Sequence, residues 1–203
     1  ITRTVDLGNG VTFQLMRIPA GTFVMGDDRG DDDAKTTCVV TIEKPFWMAE
    51  TEVTNALYSW FDPTHDSRYI DQQWKDHTTP GYAANDPNQP VIRVSWREAT
   101  EFCRALSQAT GLQFSLPTES QWEWACRAGS DQPFWFGDLE SDFAPFANLA
   151  DESLRGFVVK GVNPKPVKHE DWQAFIPRAS GMDDGQMIGA EVALYNANVW
   201  GLR

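Results

Sequence analysis

The stretch Leu116-Pro117-Thr118-Glu119-Ser120-Gln121-Trp122-Glu123-Trp124-Ala125-Cys126-Arg127-Ala128-Gly129 constrains the fold most, because both ends of a helix are written into it. Pro117 has no amide hydrogen to give a strand ladder, and Thr118 with Gln121 three positions on has the form of a capping box. The helix is predicted to start at Glu119, whose charge suits the positive end of the dipole. Gly129, just past Arg127, is expected to take the left-handed conformation that ends it. Trp122, Ala125 and Cys126 recur at offsets of three and four and mark the expected buried stripe. Trp124 is left on another face, to pack under a loop.

Upstream, residues 3 to 26 alternate, with Val11, Phe13, Leu15 and Ile18 on one side and breaks at Gly8-Asn9-Gly10 and Pro19-Ala20-Gly21, which predicts a hairpin and a further strand through Phe23 and Met25. Asp27 to Asp33 holds five aspartates and reads as a solvated loop, since neither its spacing nor a closing glutamate suits a calcium-binding EF-hand. Val39 to Trp47 alternates as a strand. Glu52 to Phe61 turns helical, with Thr54 as cap and Leu57, Tyr58 and Phe61 as the stripe. Residues 62 to 89 lose all periodicity and predict a long irregular loop, with His65 and His77 as ordinary loop histidines. Ser95 and Glu98 form a second capping box ahead of Ala99, Phe102, Cys103 and Leu106 on one face, with Gly111 as terminator. Beyond residue 130 little regular structure is expected, apart from short apolar runs such as Phe157-Val158-Val159. Short helices, hairpins and aromatic-anchored loops together predict an α+β domain.

The 203 residues suffice for one domain with a sizeable core, so 1–203 is read as a single domain. Nine tryptophans and twelve phenylalanines supply large buried areas and exclude a disordered chain. A formal charge of -12 disfavours nucleic acid and anionic membrane surfaces as partners and favours cations. No apolar run has the length of a membrane span, and the start lacks the order of a signal peptide. A chain beginning at Ile1 is nonetheless consistent with a removed leader, so an exported or periplasmic location is slightly favoured over a cytoplasmic one. Three cysteines make neither a disulfide framework nor a zinc motif, and Cys38, Cys103 and Cys126 are expected to be small core residues.

The helix-bounding stretch also resembles the L-P-T-E-A-E-W-E-Y-A signature of the formylglycine-generating enzyme family, the sulfatase-modifying factors. Phe23-Val24-Met25-Gly26 is similar to the family's F-x-M-G, Glu52-Val53-Thr54-Asn55 to its E-V-T-N, and Pro90-Val91-Ile92-Arg93-Val94-Ser95-Trp96 to its P-V-x-x-V-S-W. Phe134-Trp135-Phe136-Gly137 resembles the P-W-G segment, and Asn196-Ala197-Asn198-Val199-Trp200-Gly201-Leu202 the N-x-x-G-L run. The motifs follow in family order and match the N-terminal part of the family's domain. The resemblance implies a C-type-lectin-like fold. It also implies that Trp200 and Leu202 dock on a core whose remaining strands are not in this sequence, the missing part being supplied by a separate fragment, a partner chain or further residues.

In members that are oxidases, two cysteines in the C-terminal part hold copper(I), and a sulfatase cysteine is oxidised to formylglycine. Those positions lie beyond Arg203, so Cu+ would bind through cysteines not in this chain. The resemblance further implies one structural Ca2+, held by Asn148 and the Leu149 carbonyl on one side and by Asp184 and the Gln186 carbonyl on the other, with Gln186 standing where an aromatic is common. Hard oxygen donors of this kind suit calcium. The competing account makes Asp183-Asp184-Gly185 a plain turn and Asn148 a loop cap. Glu119 and Glu123 read as a dipole partner and a buried, hydrogen-bonded carboxylate rather than as a glycosidase pair. Two functions remain: oxidation of a cysteine in a sulfatase-type protein, or a non-catalytic lectin-like module binding a protein or glycan. Related domains in iron-dependent sulfoxide synthases and siderophore maturation show that such membership does not by itself fix a reaction.

Overall fold

The computed structural model describes residues 1–28, 35–70, 81–154 and 181–203. Part of the aspartate-rich loop, together with His77 and Phe157-Val158-Val159, lies outside the described residues. The strands are β1 (Thr2–Asp6), β2 (Thr12–Ile18), β3 (Gly21–Met25), β4 (Cys38–Ile42) and β5 (Phe46–Ala49). Helix α1 (Asn55–Ser59), β6 (Tyr69–Ile70), β7 (Tyr82–Ala83), α2 (Trp96–Thr110) and α3 (Glu119–Arg127) follow. Helices and short antiparallel strands in one chain make the α+β class predicted. The residues gather into two compact units, Ile1–Glu52 with Val94–Ser141 and Ala197–Arg203, and Val53–Arg93 with Asp142–Asn196.

In the first unit β1, β2 and β5 form an antiparallel sheet with β2 central, and β3 pairs with β4 as a separate hairpin. The predicted turn at Gly8-Asn9-Gly10 is there, with Asn9 at φ 53° and Gly10 at φ 80°, values that a left-handed turn requires. The single strand predicted from Val39 to Trp47 is instead two, β4 and β5, separated at Lys44-Pro45, where proline has no amide to offer a ladder. Both capping boxes form. Ser95 accepts from the Glu98 amide while Glu98 reaches back to the Ser95 amide, and Thr118 and Gln121 do the same at α3. Helix α2 ends on Gly111 at φ 70°, as predicted. At α3 the C-cap Ala128 is itself left-handed, at φ 49°, and Gly129 follows it at φ 83° as expected.

The core of this unit corrects the expected stripe of α3. Trp122 is 59% exposed and Cys126 is exposed, whereas Trp124, Ala125 and Ala128 are buried. The indole of Trp124 covers Gly21, donates its Nε1–H to the Pro19 carbonyl at 2.9 Å, and meets the rings of Phe23 and Trp200 at centroid distances of 5.3 and 4.8 Å. Two tryptophans two positions apart point to different sides of a helix, and only the long-range hydrogen bond and the side-chain-free surface of Gly21 select which is buried. Cys126 therefore falls off the stripe. Cys38 pairs with Met25 at the loop end of the β3–β4 hairpin and is exposed too, and Cys103 is half-buried, its thiol pushed up by desolvation.

Met16, Ile18, Ile42, Trp124 and Ala125 form the buried cluster, and Trp200 and Leu202 pack against it. The last residues thus dock on the core of this chain. Asn198 holds them: its Nδ2 donates to the Ala125 carbonyl at 2.9 Å, and its Oδ1 accepts from the amides of Trp200 and Leu202. Glu123 is the hydrogen-bonded carboxylate expected, accepting from the Gly26 amide at 3.0 Å and from Arg127, whose guanidinium also reaches the Gly26 carbonyl.

In the second unit the loop predicted to be irregular contains the β6–β7 pair, with Tyr69 opposite Ala83. Two motifs distant in sequence meet there: the Val91 amide donates to the Val53 carbonyl, and the Asn55 side chain donates to the carbonyls of Ala84, Asp86 and Gln89. Buried Ser67 closes the knot by donating to Asn55 Oδ1 at 2.6 Å and accepting from the Ile92 amide. His65 is fixed structurally, its Nε2 3.0 Å from the Ile92 carbonyl and its ring edge-on to Tyr58.

Two measurements check this packing. A Cβ on Gly21 would stand 2.6 Å from the Trp124 ring; Gly21→Ala is therefore expected to lower stability by about 1–3 kcal/mol in urea unfolding, and an unchanged midpoint would contradict the Trp124 arrangement. Asn198→Ala leaves two amides and one carbonyl without their partner, an expected loss of about 1–3 kcal/mol in the same assay.

Candidate metal centre

Two loop segments of the second unit, around Asn148 and around Asp184, carry the predicted calcium ligands. Asp184 is half-buried, and both its oxygens are engaged by backbone: Oδ2 accepts from the Leu149 amide at 3.0 Å and Oδ1 from the Gln186 amide at 2.7 Å. Asn148 donates its Nδ2 to the Ile188 carbonyl at 3.1 Å, which leaves its amide oxygen for another partner. The four sequence-predicted residues are thus drawn together across more than thirty positions, by bonds that run directly from one segment to the other.

Asp151 was not among the predicted residues, yet it sits at the centre of the arrangement. It is fully buried and opens a single 3-10 turn, Glu152–Leu154. Its Oδ1 accepts from the Ser153 amide at 2.8 Å and the Ser153 hydroxyl at 2.5 Å, and its Oδ2 accepts from the Asp184 amide at 2.6 Å. Ser153 Oγ also lies 2.9 Å from the Gln186 carbonyl, so its single hydroxyl hydrogen is shared between Asp151 Oδ1 and that carbonyl. The D-x-S spacing of an Asx-type turn is the local signal that marks Asp151; its burial has no signal in the sequence. Burial, followed by the charge and hydrogen bond of Asp184 and the charge of Asp151, pushes the Tyr195 hydroxyl up to about 12. Tyr195 therefore stays neutral at physiological pH.

The donor set suits a hard cation in kind. The oxygens of Asp184 each hold one backbone amide and one of them also faces the Tyr195 hydroxyl, which leaves one oxygen with a further lone pair, and the Gln186 carbonyl has one acceptor position beyond Ser153. The set is a mixture of one carboxylate, one amide and two carbonyls. It is not a dense cluster of ionisable ligands, and among the described residues no group of three or more His, Cys, Asp or Glu side chains is placed to hold a metal. Copper(I) is not suited by what is present: Cys38, Cys103 and Cys126 are free thiols on three different elements, β4, α2 and α3, and none belongs to a group of three or more His, Cys, Asp or Glu side chains among the described residues. No helix of the described residues is long and apolar enough to cross a membrane.

Comparison with known proteins agrees with the motifs. The family model of the sulfatase-modifying factor enzyme 1-like domain matches residues 9–203. A formylglycine-generating enzyme of Streptomyces coelicolor is 26% identical, with 92% of this chain and 64% of that protein aligned. The formylglycine-generating enzyme of Mus musculus is 25% identical over 93% of this chain and 54% of its own length. A Bos taurus protein named inactive C-alpha-formylglycine-generating enzyme 2 is 25% identical over 83% of this chain and 64% of its own length. The chain therefore spans between 54% and 64% of the length of these relatives. Among solved structures, PvdO from Pseudomonas aeruginosa superposes with a TM-score of 0.65 at 22% identity, covering 98% of this chain and 69% of that one, which speaks to the fold alone. With a family model matched over nearly its whole length, this chain belongs to the family of sulfatase-modifying factor enzyme 1-like domains.

Proposed function

We propose that the chain is part of a formylglycine-generating-type domain with a C-type-lectin-like fold, which holds one structural Ca2+ and serves the oxidation of a cysteine in a sulfatase-type protein. The observation that carries the ion is the Leu149 amide on Asp184: it unites the two halves of the ligand set that the family resemblance implies. Asn148 and Asp184 would give side-chain oxygens, and Leu149 and Gln186 their carbonyls. The ion's part is architectural, since loops with little regular structure need a fixed centre to present a constant surface. An exported setting fits a site of modest charge, because extracellular calcium sites work at high ion concentration. The thiolates for copper, which supplies the oxygen chemistry when bound, are assigned to residues other than the three cysteines of this sequence.

A second reading, a non-catalytic module that binds a protein or glycan, is favoured by one observation: the Bos taurus relative, no more distant in sequence than the mouse enzyme, bears the word inactive in its name.

Calcium at about one hundred times its Kd should stabilise the purified protein by about 2.7 kcal/mol relative to EDTA. Asp184→Ala should abolish that increment, and identical melting with calcium and with EDTA would overturn the ion site. Aldehyde formation on a cysteine-containing sulfatase-motif peptide, assayed with the protein assembled with the residues or partner that carry the copper thiolates and supplied with copper(I) and oxygen, separates the two functions. Aldehyde supports the oxidase; calcium-dependent melting without aldehyde supports the binding module.

A further inference from the structure

Asp151 is the one charged residue among the fully buried side chains of the described residues. A carboxylate taken out of water costs several kcal/mol unless other groups compensate it. Its oxygens take the Ser153 amide and hydroxyl on Oδ1 and the Asp184 amide on Oδ2. The ion pairs found among the described residues are Arg97 with Glu101, Arg127 with Glu123 and Arg203 with Glu50, and none reaches Asp151 or Asp184. Among the described residues, no cationic side chain thus pairs with either of these two neighbouring carboxylates, which are joined through the Asp184 amide.

The calcium reading leaves a complementary deficit. A divalent ion bound by the Asp184 carboxylate and by neutral oxygens of Asn148, Leu149 and Gln186 keeps one uncancelled positive charge. We propose that Asp151 is the charge-balancing and positioning residue of this site: it is not a ligand, but supplies the second negative charge and holds the 184–186 loop in its ligating shape. Both parts follow from the same bonds. Oδ2 fixes the Asp184 backbone, and Oδ1 reaches the Gln186 carbonyl through the Ser153 hydroxyl. The inference rests on the calcium reading above, and it makes Asp151 part of the cation's electrostatics rather than a turn former alone.

Calorimetric Ca2+ titration and Tb3+ luminescence on the intact protein test it, with folding checked by circular dichroism in EDTA. Asp151→Asn removes the charge at nearly constant size and is expected to weaken Ca2+ about 10- to 100-fold, as loss of an outer-shell partner commonly does. The loss should be greater for trivalent Tb3+ than for Ca2+, a dependence on ion charge that a purely structural clamp would not produce. Ser153→Ala keeps the charge and removes only the hydroxyl that links Asp151 to the Gln186 carbonyl, so any loss it causes should be equal for Ca2+ and Tb3+. An Asp151→Asn protein that binds Ca2+ as the parent does would overturn the role of Asp151 and leave the calcium site standing. So would a Ser153→Ala loss that is greater for Tb3+ than for Ca2+, a result that does not require Asp151→Asn to fold. A parent protein that binds no Ca2+ would instead remove the calcium reading itself, and this proposal with it.

Discussion

The contact between Trp124 and the Pro19-Ala20-Gly21 corner organises the first unit. An indole offers a large apolar face and one N–H, and burying it is favourable only if that N–H finds an acceptor. The Pro19 carbonyl is that acceptor, and Gly21 lets the ring lie directly on the backbone where any Cβ would collide. Once the ring is seated, Phe23 and Trp200 close on its other sides, and the terminal segment is tied down through Asn198 to the carbonyl of Ala125, the next residue of the same helix. One side chain thus joins the helix, a hairpin and the last residues, none of which has enough regular structure to bury a core alone.

The second unit solves the same problem with polar groups. Among the described residues it has one short α-helix, a 3-10 turn and a two-residue strand pair joined by long connections, so its order comes from side chains that satisfy buried backbone groups. Asn55 and Ser67 do this at one place, gathering three carbonyls and an amide from the 84–92 segment. Asp151, Ser153 and Asp184 do it at another, but with carboxylates rather than an amide and a hydroxyl. That difference in chemistry gives the second knot an electrostatic demand that the first does not have.

Much of the local structure was legible because it depends on residues three or four positions apart. The capping boxes at Ser95 and Thr118, the Thr54 cap, the Asn9-Gly10 turn and the Gly111 terminator are each decided by neighbours in sequence, and each is found where it was expected. Family membership was legible for a different reason: several motifs occur in order, and no single burial prediction is needed to support it. The exposure of Trp122 accordingly changes the picture of the core and leaves membership untouched. The proximity of Asn148 and Asp184 came from the resemblance alone, since periodicity carries no information across so long a separation.

What the sequence by itself determined, then, is where helices begin and end, which segments pair as hairpins, and to which family the chain belongs. The tertiary structure decided which of two tryptophans is buried, which cysteines lie at the surface, that Trp200 and Leu202 pack on this chain's own strands, and that Asp151 is enclosed beside Asp184. Each of these depends on a partner far along the chain: a carbonyl at residue 19, a missing Cβ at 21, an amide at 184. Burial is settled by such long-range geometry, and a helical or strand period only narrows the choice of face.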